Sequence, residues 1–436
     1  MFTFRAWAFE ALDVPVGSRP FDYPKAGTLG TNIPTGVSMK FINGVPYDFA
    51  LRQTQTGYHA LNSYRLTGEQ FLLLRAQAQA DHLIAVHASV GDGWFYPSGF
   101  AYRFGDVCPD LLVPPWYSGL AQGTAVGFFA RLYEATGKLA YKDAAEHTLE
   151  SFLVRRGANH PWVSAVDSSG YLRLEEYPGT GWEFVFNGHM DAAMGLWDYY
   201  RVTHDARALA LYKGAMTSVV RYGERFRNAG WVSAYSLGAR ARFITYHVMV
   251  MRQLRQLYTI SGDARFIHLV DHFDDDFPAP EVSGAVKVLP GDYLVCRFAP
   301  SGARLASRTI HPRAEVRYQV DRRRRIFGQR GIWLHITSGS LQGYFVREAV
   351  GHVYIPGAVD ALIYDPPINV TLRAGQWTAQ QFDAQGAVIA TQAIDLASAQ
   401  RAQASQRAIV NGVPRVLLAS DSLTDFWLPQ RAVILP

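Results

Sequence analysis

Tyr64-Arg-Leu-Thr-Gly68, Tyr133-Glu-Ala-Thr-Gly137, Tyr200-Arg-Val-Thr-His204 and Tyr258-Thr-Ile-Ser-Gly262 are one turn written four times. A short signature returning at a coarse period marks a repeat architecture. Apolar helical patterns precede the turns, as over Ala125 to Tyr133 and Met194 to Tyr200, and second helices follow, as over Leu139 to Phe152 and Ala206 to Tyr222. Gly after the Ser/Thr suits the left-handed residue that closes a helix. The turn ends lie 69, 67 and 58 residues apart, so each unit holds a helix pair and a long loop. Those loops carry Gly91-Asp-Gly-Trp-Phe-Tyr-Pro97 and Leu174-Glu-Glu-Tyr-Pro-Gly-Thr-Gly-Trp182, and long loops on a helical scaffold are where function concentrates. The expectation is an (α/α) toroid over residues 1–276 with a loop-lined cleft.

Beyond Asp274-Asp-Asp-Phe-Pro-Ala-Pro280 the pattern changes to short alternating strands, which places a domain boundary there. Gly291 and Gly375, Phe298 and Phe382, Gly302 and Gly386, and Ala306 and Ala390 are each 84 apart. Ser338-Gly-Ser-Leu and Ser420-Asp-Ser-Leu repeat at a distance of 82. Two homologous all-β modules are expected, over 281–360 and 365–436, as small SH3-like barrels. The fold class is thus multidomain α plus β.

The 436 residues are 49% hydrophobic and 18% charged, a balance that fills a core and excludes a disordered chain. No window approaches the roughly 18 apolar residues of a membrane span, and Met1-Phe-Thr-Phe-Arg-Ala-Trp lacks the basic head and apolar run of a secretion signal. Localisation stays open, because an acidic polysaccharide partner would sit in the envelope or outside. Two cysteines, Cys108 and Cys296, lie without ligand spacing, which excludes a disulfide framework and a structural zinc site. From residue 277 onward 17 Lys+Arg face 11 Asp+Glu, whereas the rest of the chain is nearly balanced. A polyanion partner is one reading of that asymmetry and a solvated basic surface the other. Homodimer formation is left open.

Two carboxylates and a phenol in the loop Leu174-Glu175-Glu176-Tyr177-Pro178 are the most unusual feature of the chain. Pro178 favours an extended Tyr177, and neighbours in an extended chain point to opposite sides, so Glu176 and Tyr177 are expected on different walls of a cleft. Tyr235 and Tyr246-His247 place further phenols before the last repeat turn. Pro114-Pro-Trp116-Tyr117-Ser-Gly-Leu-Ala-Gln122-Gly123 combines aromatics with an amide, suited to stacking on a pyranose and bonding its hydroxyls. For the acidic loop the competing account is a solvated loop with a tyrosine lid, and for the other two segments it is packing inside the helical core.

Together, Leu174-Glu-Glu-Tyr-Pro, Asn187-Gly188, Tyr246-His247, Pro115-Trp-Tyr-Ser-Gly-Leu-Ala-Gln-Gly123 and the Tyr-x-x-Thr-Gly turns resemble the C-terminal catalytic region of D-glucuronyl C5-epimerases over about residues 55–275. The resemblance implies an (α/α) toroid acting on glucuronate in heparosan- or heparan-type chains. It implies Tyr177, Tyr235 and Tyr246 as catalytic tyrosines with Glu176 beside them. Where the family carries Tyr-Asp-Leu-Arg-His, this chain has Tyr235-Ser-Leu-Gly-Ala, and Val250 stands where a second His is usual. The β-sandwich that often precedes the helices has no counterpart in the first 50 residues, and the two β modules are additions to the family layout.

Epimerisation at C5 removes a proton α to a carboxylate and returns one to the opposite face. It needs two proton carriers, with pKa values moved toward 7 from about 10 for Tyr and about 4.3 for Glu. Tyr177, Glu176, Tyr235 and Tyr246 are the expected carriers, and Trp116, Tyr117, Gln122, Asn187 and His247 the expected sugar contacts. No cofactor is expected, since no Gly-rich phosphate loop or metal-ligand cluster occurs. A polysaccharide lyase would use the same proton abstraction, and a non-catalytic acidic-glycan-binding protein is the rival of another class. Arg322-Arg-Arg-Arg325 reads first as a solvated loop; with Trp333, Tyr344, Trp377 and Trp427 it is also a candidate grip on an anionic chain, the aromatics reading equally as barrel core. No nucleic-acid motif accompanies it.

Overall fold

The computed structural model describes residues 2–22, 36–103, 111–179, 183–419 and 421–436. Cys108, Thr180-Gly181-Trp182 of the acidic loop and Ser420 of the second repeat lie outside the described residues. Two compact units are present, Met1–Phe226 with Ser233–Asp263, and Arg227–Val232 with Ala264–Pro436.

The first unit is helical. Its helices are α1 (Ala50–Thr67), α2 (Gln70–Val86), α3 (Gly119–Thr136), α4 (Leu139–Ser151), α5 (Phe186–Thr203), α6 (Ala206–Tyr222) and α7 (Ile244–Ser261). Three short hairpins lie between them: β1 (Lys40–Ile42) with β2 (Val45–Tyr47), β3 (Ala88–Val90) with β4 (Gly93–Phe95), and β5 (Ser164–Val166) with β6 (Leu172–Leu174).

The four-fold turn is a helix stop with a physical cause in each of its letters. Gly68, Gly137, His204 and Gly262 adopt φ of 73°, 68°, 56° and 66°, and each donates its backbone N–H to the carbonyl of the Tyr four residues back, at 2.7–2.8 Å. The hydroxyls of Thr67, Thr136, Thr203 and Ser261 donate to carbonyls four residues back. The same hydroxyls accept the N–H of Glu69, Lys138, Asp205 and Asp263 at 3.2–3.3 Å. The turn thus satisfies groups that a helix end leaves orphaned.

Helix α3 packs on α1 and α5, and α5 on α7, so the first helices of successive pairs stand side by side; α2, α4 and α6 pack on their own partners. Contact between α3 and α5 is close because Gly195 faces the backbone of Gly123, whose carbonyl a Cβ on Gly195 would strike. Arg131 of α3 fixes this layer, with Asp198 of α5 at 2.8 Å and Asp22 at 2.6 Å. A buried ion pair of this kind specifies an arrangement more than it stabilises one.

In the second unit, α8 (Ala264–Asp276) is followed by two antiparallel seven-stranded sheets. The first contains β7 (Glu281–Val288), β8 (Tyr293–Phe298), β9 (Arg304–Ile310), β10 (Val316–Arg325), β11 (Ile332–Ile336), β12 (Phe345–Arg347) and β13 (Val353–Tyr354). The second contains β14 (Ala358–Leu372), β15 (Gly375–Phe382), β16 (Val388–Leu396), β17 (Gln400–Val410), β18 (Val413–Leu418), β19 (Trp427–Pro429) and β20 (Val433–Ile434). Their orders are β13-β7-β10-β11-β12-β8-β9 and, read from the matching edge, β20-β14-β17-β18-β19-β15-β16. The second sheet therefore repeats the first strand for strand. Gly302 and Gly386 both sit near φ of +80° in the turn after the equivalent Phe298 and Phe382. The first sheet's core is aliphatic, built from Val286, Val288, Val295, Leu334 and Ile336.

The run Arg322–Arg325 is not an exposed cationic loop. It is the end of β10, where alternation across the sheet sends successive side chains to opposite faces. Arg323 is buried between Glu348 and Asp360, each at 2.8 Å, and Arg325 donates to the Asp275 carbonyl. Trp333 and Trp427 are core residues, and Tyr344 is flanked by Arg297 and Arg308. No described helix is long and apolar enough to cross a membrane.

Candidate active site

Strand β6 ends at Leu174, and the chain bends at Glu176 and Tyr177. Strand alternation therefore stops before the acidic pair, and the expectation that Glu176 and Tyr177 face different walls is overturned: both converge on Tyr235. The Tyr177 and Tyr235 hydroxyls are 3.2 Å apart, and Tyr235 donates to Glu176 Oε1 at 3.3 Å. Tyr246, in the first turn of α7, packs its ring edge on Tyr235 with 4.5 Å between centroids and shares a hydrogen bond with that phenol. Four expected carriers thus form one network. Tyr177, Tyr235 and Glu176 are buried in it and Tyr246 is half-buried.

The surroundings hold this loop in place from three sides. The backbone of Glu175 accepts from Gly119 at the start of α3 and donates to Val163, both at 2.8 Å, while its carboxylate accepts from Phe184 N–H at 3.1 Å. His189 on α5 accepts the Leu174 N–H on Nδ1 at 3.1 Å, so Nε2 carries the proton and donates to the Ala215 carbonyl at 3.0 Å. Burial holds that imidazole neutral, with its pKa pushed down to about 4. Gly188, also on α5, has no Cβ because one would meet the Glu176 carboxylate.

Burial, with Asp191 nearby, pushes the Glu176 carboxyl up to about 7, against hydrogen bonds from Tyr177 and Tyr235. Burial also lifts Glu175 and Asp191 to about 7. The three phenols move the other way from what a base requires: burial and the neighbouring Glu176 raise Tyr177, Tyr235 and Tyr246 above the ordinary phenol value. In this arrangement the carboxyl is the group poised nearest neutrality, and burial keeps the phenols protonated.

Of the expected sugar contacts, some are placed for that work and others hold the scaffold. Gln122 is 0% exposed. Its Oε1 accepts from Tyr96 N–H, and its Nε2 donates to the Trp94 carbonyl and to Ser151. That amide is a pin between loop and helices, a correction to its reading as a hydroxyl ligand. Trp116 is 7% exposed and donates its indole N–H to the Phe100 carbonyl at 2.8 Å; its ring backs Tyr177 at 6.2 Å. His247 accepts the Ser233 N–H on Nδ1 at 2.9 Å, which ties α7 to the segment bearing Tyr235. Asn187 is buried at the start of α5, with Oδ1 unpartnered. Tyr117 is half-buried and lines a groove of about 760 Å³ with Trp116, His160, Trp162 and Pro178.

Several residues of the site carry no sequence signal of their own. Tyr102 stacks on Trp116 at 5.7 Å and contacts Tyr177 at 5.8 Å. Its place in the aromatic stretch Phe95 to Tyr102 is the only hint. Glu183 accepts from Ser236 Oγ at 2.9 Å and Ala239 N–H at 3.1 Å, and a Cβ on Gly238 would meet its carboxylate. The departure from the family pattern at Ser236 and Gly238 is thus a closed local cradle for Glu183. Lys40 brings a cation to the aromatic cluster, 5.3 Å from the Phe100 ring centre.

Residues 95–275 match the family model described as D-glucuronyl C5-epimerase C-terminus. The family read from the motifs is the family matched. The matched segment contains every expected site residue, from Trp116 to His247, and neither of the two sheets. An uncharacterized protein of Methanocaldococcus jannaschii is 25% identical over 154 residues, 35% of this chain and 49% of its own length. The chain thus spans about half of that curated relative. Cellobiose 2-epimerase from Bacillus thermoamylovorans B4167 is 13% identical, with 52% of this chain and 59% of that chain covered at a TM-score of 0.40. The enzyme of the same name from Spirochaeta thermophila DSM 6192 is 14% identical, with 53% and 59% covered at 0.39. A D-mannose isomerase is 12% identical, with 56% and 64% covered at 0.38.

Proposed function

We propose that the protein is a uronate C5-epimerase, converting D-glucuronate to L-iduronate residues in an acidic polysaccharide of the heparosan or heparan kind. The observation that carries this reading is the buried Glu176, with its carboxyl near 7, hydrogen-bonded to Tyr235, whose hydroxyl lies 3.2 Å from that of Tyr177. The C5–H bond breaks as its proton passes into the Tyr177–Tyr235–Glu176 network. The electron pair delocalises into the substrate carboxylate, and Tyr246, the half-buried phenol packed on Tyr235, is the group we assign to return a proton to C5 from the face opposite the departing one. Glu176 gains one proton and Tyr246 loses one, and transfer from Glu176 through Tyr235 to Tyr246, in exchange with water, resets both. Lys40 supplies positive charge for the substrate carboxylate, which stabilises the enolate-like intermediate. The groove along Trp116, Tyr117 and Trp162 holds neighbouring sugars.

We read residues 1–276 as the catalytic domain and its pairs as an (α/α) toroid, supported by the sequential packing of α1, α3, α5 and α7. The modules 281–360 and 365–436 are read as SH3-like barrels, on the strength of their antiparallel strands and the register shifts in β10 and β14. The test is proton NMR of N-deacetylated heparosan incubated with the protein in deuterium oxide. Deuterium at C5 together with iduronate signals is the expected result. An unsaturated uronate chromophore would instead identify a lyase, and glycan binding without exchange a non-catalytic protein.

A further inference from the structure

Twelve Lys+Arg and five Asp+Glu fall in residues 277–357, a formal charge of +7, whereas 358–436 hold five and six, or −1. The basicity of the C-terminal part therefore belongs to the first β module alone, although the two modules share one strand order. Most arginines of the first module have protein partners: Arg297 and Arg308 donate to carbonyls, and Arg323 to carboxylates. Arg304, Arg330 and Arg347 are different. All three line one cavity of about 440 Å³, with Tyr293, Trp333 and Gln329, and none of their guanidiniums has a hydrogen bond or ion pair among the described residues. Asp292, the one carboxylate on the cavity, is engaged by His311 at 2.6 Å.

The second module is an internal control for what the fold itself requires. Strand register pairs Phe298 with Arg304 and Phe382 with Val388, so Val388 occupies the position of Arg304. It pairs Trp333 with Arg347 and Arg415 with Pro429, so Pro429 occupies the position of Arg347. Arg330 lies in a β10–β11 hairpin two residues longer than its β17–β18 counterpart. One sheet order is built with three arginines around the cavity and equally well with none of them. Folding does not explain their convergence, and like charges gathered without partners are unfavourable in the free protein.

We propose that this cavity of the first β module is an oxyanion-binding site that takes a carboxylate- or sulfate-bearing unit of an acidic glycan. Guanidiniums bind planar carboxylates and sulfate oxygens through paired N–H donors, and the volume suits a sugar unit. Three exposed cations converging on one open cavity fit a single anionic group. A nucleic-acid backbone asks for a tracking stripe of cations with stacking platforms, and Trp333 is 5% exposed, within the core. The choice of a glycan as bearer of the anion rests on the function proposed for the helical domain; the anion chemistry does not.

The test is isothermal titration of the full chain with a heparosan octasaccharide, which carries carboxylates only, a heparin octasaccharide, which adds sulfates, and an oligothymidylate. Binding of at least one glycan is expected, weakened about tenfold or more in R304Q/R347Q and unchanged in R373Q of the second module. The preferred glycan identifies carboxylate or sulfate as the anion. Equal affinity of R304Q/R347Q and the unaltered chain overturns the proposal, as does tighter binding of oligothymidylate or no binding of either glycan. C5 exchange on a tetrasaccharide is expected to be the same in R304Q/R347Q. Loss of exchange by every form, with arginine-dependent binding intact, would count against the epimerase reading alone.

Discussion

The Tyr235 hydroxyl donates to Oε1 of Glu176 at 3.3 Å, and these residues are 59 apart in the chain. The contact joins a loop after β6 to a segment held by α7, and both ends are fixed independently. Glu175 and His189 hold one side, Ser233 and His247 the other. A proton network built this way is preorganised, so its groups need little rearrangement when charge develops.

Tyr177→Phe and Tyr235→Phe each remove a hydroxyl and leave the ring packing intact. C5 deuterium incorporation is expected to fall by about 10²- to 10⁴-fold in each, with near-native thermal melting. Full exchange in either folded variant would remove that phenol from the proton path.

The pH dependence of stability has two opposing parts. The Glu175, Glu176 and Asp191 carboxyls are raised to about 7 in the folded protein, so the unfolded chain holds fewer protons than the native one above its own carboxyl values. Stability from these groups is therefore lost as pH rises from about 4 to 7. His189 is lowered to about 4, and its contribution is lost as pH falls from about 6.5 to 4. Melting temperatures from pH 5 to 8 are expected to decline toward pH 8. Glu176→Gln should flatten that slope and abolish the ionisation near pH 7 in the exchange-rate profile.

Two glycine-to-alanine changes separate the scaffold from the site. At Gly137 a Cβ meets open space but a left-handed φ of 68°, so Gly137→Ala should cost about 1–2 kcal/mol in denaturant melts and spare activity. At Gly188 the Cβ meets the Glu176 carboxylate. Gly188→Ala should depress C5 exchange about tenfold or more, beyond what its overpacking cost of about 1–3 kcal/mol explains.

Gln122→Ala leaves the Tyr96 N–H and the Trp94 carbonyl without their partner. Unsatisfied buried groups cost about 1–3 kcal/mol each, so chemical denaturation should show a loss of that order. The KM of the folded enzyme should change less than twofold, whereas a residue that binds the sugar directly would raise it.

The helix stops were legible because every group in them bonds within about seven residues, so local letters suffice. The duplicated sheets were legible through spacing, since glycines at positive φ fix their turns. The motifs named the residues that the structure gathers around Tyr235, but not the way each of them faces. Gln122, Trp116 and His247 stand in the right strings and turn their polar atoms into the scaffold, because a motif records which residues work together and not which way they face. The alternation argument failed at Glu176 because the strand ends two residues earlier. Tyr102 and Glu183 were missed because their partners are distant in the chain. Arg322–Arg325 was misjudged because a strand divides a run of like charges between two faces.

Each Tyr-x-x-Thr stop after α1, α3 and α5 joins the two helices of a pair: the hydroxyl and the left-handed residue close the first helix, and the second begins after only two residues. The long loops follow the second helices α2, α4 and α6 instead, so insertions, deletions and exchanges in them leave these pair-closing turns untouched. The architecture thus separates a scaffold of helix pairs from the loops that carry the candidate site, so those loops can vary one at a time while the pairs stay folded.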